Sequence, residues 1–331
     1  MNIREIAKLA NVSVATVSRA MNRPEKVKPE TLLKIRKVMQ ENNYTGNPFA
    51  RNLINSRTKS ITLLINSIDN QFMMDITQGA EKVLFEAGYM LSIINISKSM
   101  DKMANFMDFL QEKRPNIFMD GLILAGSYLH EKDYCSSIQS ILQCPLVVID
   151  KGPLENITTV YVEERSAMKQ VASHFAESQV QNVAIIPGEM EFLFSKRRCD
   201  LLVEELKKKN ITVLPENIFS FPMEDPESSR KAVLSMKNSM PQGIYAANEA
   251  LAMGTLRALH ELGLLVPDEV SVVAGENSKY NDVMIPSLSS ISYPNIELGE
   301  MAAHELLLSI EDASKGSRNI ELPTRFIKRE S

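Results

Sequence analysis

The spacing of apolar positions changes once along the chain, and the change divides it. As far as Tyr44 the apolar residues recur at helical intervals. Ile3, Ile6, Ala7 and Ala10 share one face and predict a short amphipathic helix. Asn11 breaks it. Ser13 is placed to cap a second short helix over 14–22. Val17 and Met21 face inward there, with Ala20 beside them, and Val14, Ala15, Ser18, Arg19 and Asn22 face outward. "KPETLLKIRKVMQENNY" predicts a third helix, with Pro29 in its first turn and Leu32, Ile35, Val38 and Met39 as its core stripe. In "TGNPFARNLINSRTKS" Pro48 can start a helix, but Phe49 to Ser56 is too short to be stable alone and too sparse to build a core. Such a segment orders only against a partner, DNA or a symmetry mate.

From residue 59 onward, short β-rich apolar runs take over: "SITLLIN", "MLSIINIS", "DGLILAG", "CPLVVID", "TTVYVE", "NVAIIPG", "IFSFP", "QGIYAAN" and "VSVVAGEN". Helical patterns such as "DITQGAEKVLFEAG" and "RSAMKQVASHFAES" lie between them. This alternation predicts parallel sheets covered on both faces, with strands enough for two. A chain of 331 residues, 44% hydrophobic, can bury cores in two or three domains.

Charge sharpens the division. Residues 1–60 hold twelve Lys/Arg against four acids, a net +8, while the remainder holds 25 against 37, a net −12. A basic head on an acidic body is the footprint of a nucleic-acid-binding module joined to something else. A merely soluble basic helical domain is the plainer alternative. The head's pattern favours the first reading. Two short helices joined by a tight turn form a helix-turn-helix. The second exposes only small residues and one arginine, slim enough for a major groove about 12 Å wide.

Other chemistry finds little support. Cys135, Cys144 and Cys199 form no CxxC, so neither a disulfide framework nor a zinc site is indicated. The four histidines, His130, His174, His260 and His304, belong to no motif, and no nucleophile elbow or phosphate loop occurs. The expectation is no enzyme, no metal and no cofactor. The charged start "MNIREIAKLANVS" lacks a signal peptide's apolar core, and no apolar run is long enough to span a bilayer. A cytoplasmic protein with no membrane partner is expected.

"IREIAKLANVSVATVSRAMN" followed by "NPFARNL" and "RTKSI" resembles the LacI/GalR family of bacterial transcriptional regulators. The resemblance implies a small all-α helix-turn-helix head with a hinge helix, and an α/β periplasmic-binding-protein-like body of two parallel-sheet subdomains. It implies a DNA-binding domain at 1–58, with recognition helix 14–22 and hinge helix 47–56. Val14, Ala15 and Arg19 would then face base edges, and Thr16, Ser18, Asn22 and Tyr44 would hold phosphates. Asn47, Ala50 and Leu53 fall in the hinge, where Leu53 would wedge into a minor-groove step or make a small contact with the body. The chemistry fits these roles: arginine pairs bidentately with guanine, and small apolar groups contact a thymine methyl.

The resemblance continues through "ANEALAMG", "LGLLVPDEVSVVAGEN", "IPSLSSISYPNIELGEMAAHELL" and "LPTRFIKRES". It implies an effector-binding and dimerisation domain at 59–331, with the chain crossing three times between its halves. Subdomain one is about 60–160 and 292–317; subdomain two is about 161–291 and 318–331. Ligands in such folds bind outside the carboxyl ends of strands, between the halves. That rule selects Phe72, Met73, Ser127, Asp150, Arg198, Asn248, Glu249 and Glu276, with Gln71 and Asn277 beside them. Arg198 aligns with an arginine that contacts effectors in the family; otherwise it is a surface residue of the run Lys196–Arg198. Glu249 is an effector contact or a helix N-terminal acid, and Phe72 stacks on a ring or plugs the cleft. Three departures from the family's pattern stand out: "VEE" at Val162–Glu164 for the usual "DN", "AGE" at Ala274–Glu276 for "GFD" or "GYD", and Leu201 for a glycine. They argue against an ordinary hexose ligand.

The function implied is a repressor that binds a near-palindromic, double-stranded operator as a homodimer, with a tetramer as the alternative. It would answer to a small-molecule effector, a sugar or sugar derivative. A corepressor- or protein-partner-controlled regulator of the same fold, and a solute-binding protein, are the competing readings.

Overall fold

The computed structural model describes residues 2–22, 24–42, 44, 58–68, 71–96, 100–113, 119–126, 134–142, 144–150, 154–191, 193–222, 225–312 and 314–331. The chain divides into two compact units, Met1–Lys59 with Phe118–Asp120 and Ser60–Ile117 with Gly121–Ser331.

The first unit holds α1 (Ile3–Leu9), α2 (Val14–Asn22), a 3-10 turn (Pro24–Lys26) and α3 (Pro29–Glu41). Asn2 starts α1 with a capping box: its side chain accepts from the Arg4 and Glu5 amides while Glu5 accepts from the Asn2 amide at 2.8 Å. Asn11 takes a left-handed φ of 52° between α1 and α2, a conformation asparagine tolerates better than most residues. The Ser13 hydroxyl accepts from the Thr16 amide at 3.1 Å, the predicted cap. Ile6, Ala7, Ala10, Val17, Ala20 and Ile35 form the core, with Met21, Leu32, Val38, Met39 and Tyr44 packed around it. Each large aliphatic fully withdrawn from water here contributes roughly 1.5–3 kcal/mol.

In the second unit β1 (Ser60–Ile65), α4 (Gln71–Glu86), β2 (Met90–Asn95), α5 (Met100–Lys113), β3 (Gly121–Ala125), α6 (Tyr134–Leu142), β4 (Leu146–Asp150) and β5 (Thr158–Val162) come first. Next are α7 (Glu164–Glu177), β6 (Val183–Ile186), α8 (Leu193–Lys208), α9 (Pro226–Ser235), β7 (Gly243–Ala246), α10 (Glu249–Glu261), β8 (Ser271–Ala274) and β9 (Ser289–Ser292). α11 (Asn295–Glu311), β10 (Asn319–Leu322) and β11 (Arg325–Ile327) complete the chain. Among the described residues the strands form two sheets, ordered β10-β5-β4-β3-β1-β2 and β11-β9-β8-β7-β6. The pairings are parallel except for β11 against β9. The central strands β1, β3, β7 and β8 are buried on both faces along nearly their whole length, which is why they read as unbroken apolar runs rather than alternating ones.

The chain passes between the two sheets three times, after β5, after β9 and after β10. This corrects the expected boundary at 318. Asn319–Leu322 pairs with Thr159–Val162 in the first sheet, so the last crossing comes after Leu322. "IFSFP" is not a strand either. Pro215 opens a 3-10 turn and Pro222 follows, and between them Ile218 makes only an isolated bridge to Ile185. Strands β9, β10 and β11, only three or four residues long, were not among the predicted runs.

Candidate DNA-reading surface and effector cleft

In the first unit, α2 buries Val17 and Ala20 and turns its other face outward. Val14 is 41% exposed, and Ala15 and Arg19 are exposed, while Thr16 and Ser18 are half-buried. Thr16 is also tied locally, its hydroxyl 2.8 Å from that of Ser13. The outward face is therefore low in relief, with one long cationic side chain. Tyr44 is half-buried and packs against the helical core. The side chain of Asn22 lies outside the described residues, as do Asn47, Ala50 and Leu53 and the rest of the expected hinge.

In the second unit, a cavity of about 240 Å³ opens where the two sheets' subdomains meet. The first turn of α4 brings Gln71 and Phe72 to it. The start of α10 brings Asn248, Glu249, Ala250 and Met253, the loop after β8 brings Glu276, Asn277 and Ser278, and the crossing into α11 brings Tyr293 and Asn295. Helix N-termini and strand C-termini therefore meet at the cavity, as the switch-point rule requires. Of the eight expected effector residues, Phe72, Asn248, Glu249 and Glu276 line it.

Several side chains are held in place by the protein itself. Asn248 caps α10 by accepting from the Leu251 amide at 3.0 Å. Asn277 accepts from Arg329 at 2.8 Å and from the Ser290 hydroxyl at 3.0 Å, so the C-terminal segment fixes one wall. Asn281, fully buried, donates to the Glu276 carbonyl at 3.2 Å. Gly275 leads into this loop because a Cβ there would stand 2.4 Å from both the Ala247 carbonyl oxygen and the Tyr245 hydroxyl.

Two expected contacts are corrected. Met73 is buried in the hydrophobic core, since one step around α4 from Phe72 turns the side chain away from the cavity. Arg198 is neither on the cavity wall nor on the surface; it is 2% exposed. Its Nε and Nη2 donate to the two carboxylate oxygens of Glu164 at 3.1 and 3.2 Å. Nη1 is 3.8 Å from Glu276, and the guanidinium lies 5.4 Å from the centroid of the Tyr293 ring. Burial alone would depress Arg198, but the carboxylates of Glu164 and then Glu276 outweigh it and hold the guanidinium charged. Burial likewise pushes the Tyr245 and Tyr293 hydroxyls up, keeping both neutral. Ser127 lies outside the described residues, as does the side chain of Asp150 at the end of β4. Ala250, Met253, Ser278, Tyr293 and Asn295 were not anticipated. The signal for Tyr293 and Asn295 was their position at a crossing between halves.

Nothing in this unit forms a metal centre: no group of three or more His, Cys, Asp or Glu side chains is placed to hold one among the described residues. Cys199 is buried, which pushes its thiol up to about 12. No helix of the described residues is long and apolar enough to cross a membrane.

A small helical unit with an exposed, low-relief helix face and a two-sheet α/β unit with a cleft are the two parts of the class of ligand-responsive DNA-binding regulators. Residues 2–47 match the family of bacterial regulatory proteins, lacI family, and residues 172–331 match a periplasmic binding protein-like domain. Residues 2–47 thus carry a LacI-family helix-turn-helix domain, and residues 172–331 a periplasmic-binding-protein-like domain. It is 28% identical to the ribose operon repressor of Halalkalibacterium halodurans, over 99% of this chain and 96% of that one. It is 29% identical to the HTH-type transcriptional repressor PurR of Klebsiella pneumoniae subsp. pneumoniae, over the same shares. The fold is similar to that of a chain of the lac repressor dimer bound to operator and the anti-inducer ONPF, with TM-score 0.87, 21% identity and coverage of 100% and 98% of the two chains. A LacI family transcriptional regulator from Enterococcus faecium with bound ribose matches with TM-score 0.69 and 22% identity, over 82% of this chain and 98% of that one.

Proposed function

We propose that this protein is a transcriptional repressor that binds a near-palindromic operator as a homodimer and responds to a small polar effector, a sugar or sugar derivative, held in the cavity. The observation that carries the reading is the face of α2. Val14, Ala15 and Arg19 are exposed over a core of Val17 and Ala20, an arrangement that lets the helix approach base edges closely. Arg19 reads a guanine, Val14 and Ala15 meet thymine methyls, and Thr16, Ser18, Asn22 and Tyr44 hold the backbone. Asn47, Ala50 and Leu53 act in the minor groove between half-sites.

Relatives named as repressors, one of a ribose operon, and a ribose-bound regulator of the same fold support repression and a sugar-like effector. Exposed Phe85, Met90 and Ile93, on and beside edge strand β2, are apolar area that a second copy would cover. The protein acts in the cytoplasm and is not an enzyme. The effector changes operator affinity by binding two body conformations unequally, and induction and corepression differ only in which one it prefers.

The test is selection of bound sequences from a random duplex pool by the full-length protein, followed by anisotropy titrations at physiological salt. The expected result is a near-palindromic site bound 10³-fold or more tighter than random duplex. Equal affinity for every duplex would refute it.

A further inference from the structure

We infer that Arg329 is a positioning residue of the effector cavity: it locks the side-chain amide of Asn277 so that the N–H groups, and not the oxygen, are offered to the ligand. This rests on the reading of the cavity as the effector site and deepens it, because Asn277 then reads an accepting hydroxyl oxygen on the effector.

Asn277 is half-buried and lines the cavity from the loop after β8. An amide oxygen has two lone pairs, and both are taken inside the protein. Nη2 of Arg329 donates to this oxygen at 2.8 Å and the Ser290 hydroxyl at 3.0 Å. The amide nitrogen carries two hydrogens. It donates to no described residue and is not sealed from solvent. Those hydrogens are what this side chain has left to offer.

The orientation is set from outside the cavity, by a residue 52 positions away in sequence. The Arg329 side chain is itself held, at 9% exposure. Its Nε donates to Asp282 at 2.6 Å, and Nη1 donates to the Leu288 carbonyl at 2.6 Å and to the Ser290 hydroxyl at 2.9 Å. The Ser290 hydroxyl passes its own hydrogen to Asn277, so the arginine acts on the amide directly and through the serine. A guanidinium only donates. Turning the amide over would set N–H against N–H and lose the Arg329 bond. An aspartate at 277 would accept from the same two donors but would face the cavity with an acceptor, which is the difference the experiment reads.

Calorimetry on the full-length protein uses ribose, glucose and galactose, with deoxy and deoxyfluoro analogues at each hydroxyl of the sugar that binds tightest. Fluorine accepts a hydrogen bond but cannot donate one. At one position the deoxyfluoro analogue should bind about three-fold or more tighter than the deoxy analogue. Asn277→Asp should reverse that order without lowering the melting temperature. Arg329→Met should weaken the parent sugar about ten-fold and abolish the fluorine preference, and Arg329→Lys should restore part of both. A merely structural arginine would weaken all the analogues alike and leave their order intact. If Arg329→Met does not fold, the wild type and Asn277→Asp still decide. No fluorine preference in the wild type, or one that Asn277→Asp leaves unchanged, overturns the inference and leaves the effector reading standing. No binding by any of the three sugars, with operator affinity unmoved by all of them, overturns both.

Discussion

Replacing Arg198 should cost stability before it costs ligand binding. Its guanidinium and the Glu164 carboxylate are each 3% exposed at the side chain, and they meet through two charge-assisted hydrogen bonds of 3.1 and 3.2 Å. Arg198→Met fills much of the same volume but strands Glu164 in the interior without its partner. Breaking a buried pair from one side costs about 3–5 kcal/mol, because the remaining charge is uncompensated. Glu164→Leu should cost a similar amount by stranding Arg198, with Glu276 at 3.8 Å as partial relief. The double variant removes both charges and should recover to within about 1–2 kcal/mol of wild type, since an apolar replacement of a whole buried pair is often nearly neutral. The chain has no tryptophan, so urea unfolding should be followed by far-UV circular dichroism, taking the body's transition separately from the head's. The reasoning fails if each single variant costs under about 1 kcal/mol, or if the double loses the sum of the two singles. The latter would mean that the residues do not act as a pair.

Three further perturbations test other parts of the molecule. Arg19→Ala should weaken the selected operator by about 1–3 kcal/mol, with a smaller loss on unrelated duplex; equal losses in anisotropy titrations would reduce Arg19 to a phosphate contact. A Cβ at Gly79 would stand 2.0 Å from the Ile296 carbonyl oxygen where α4 and α11 cross. Gly79→Ala should therefore cost at least about 1–3 kcal/mol, and an unchanged melting temperature would show that the helices simply move apart. His174 is 4% exposed, and burial first, then Lys328, lower its pKa from the ordinary 6.5 while Glu177 opposes them. The unfolded chain takes up that proton first. His174's contribution is thus complete above about pH 6.5 and is lost on acidification below it, by up to about 1.4 kcal/mol per pH unit. His174→Gln should flatten that slope in melts between about pH 8 and 5, and an unaltered slope would assign it to other groups.

Much of the architecture was legible because it rests on local periodicity. The helical face of Ile6, Ala7 and Ala10, the cap at Ser13 and the apolar runs of the central strands follow from nearest neighbours in the chain. The short strands β9, β10 and β11 did not stand out because pairing, rather than propensity, makes them strands. Half of the cavity was legible through the rule that sites gather at strand ends, which placed Gln71, Phe72, Asn248, Glu249, Glu276 and Asn277. That rule cannot distinguish successive residues on one helical turn, so Met73 was included although it turns inward. Nor can it reveal that an arginine's partner lies 34 positions away in sequence.

Two of the three departures from the family's pattern are connected in space. "VEE" supplies Glu164 and "AGE" supplies Glu276, and both acids converge on Arg198. A buried guanidinium must have a counter-charge, from the ligand or from the protein. Here Glu164 occupies the bidentate face of Arg198, so a ligand acid has no equivalent place to bind. Glu276 stands on the cavity wall 3.8 Å from the same guanidinium. The substitutions are therefore coupled. Restoring a neutral residue at 164 alone would leave the arginine short of its closest counter-charge, while removing the arginine alone would leave the carboxylates facing one another. Two of the three departures thus form one electrostatic unit with Arg198, while the third, Leu201, is buried in the hydrophobic core.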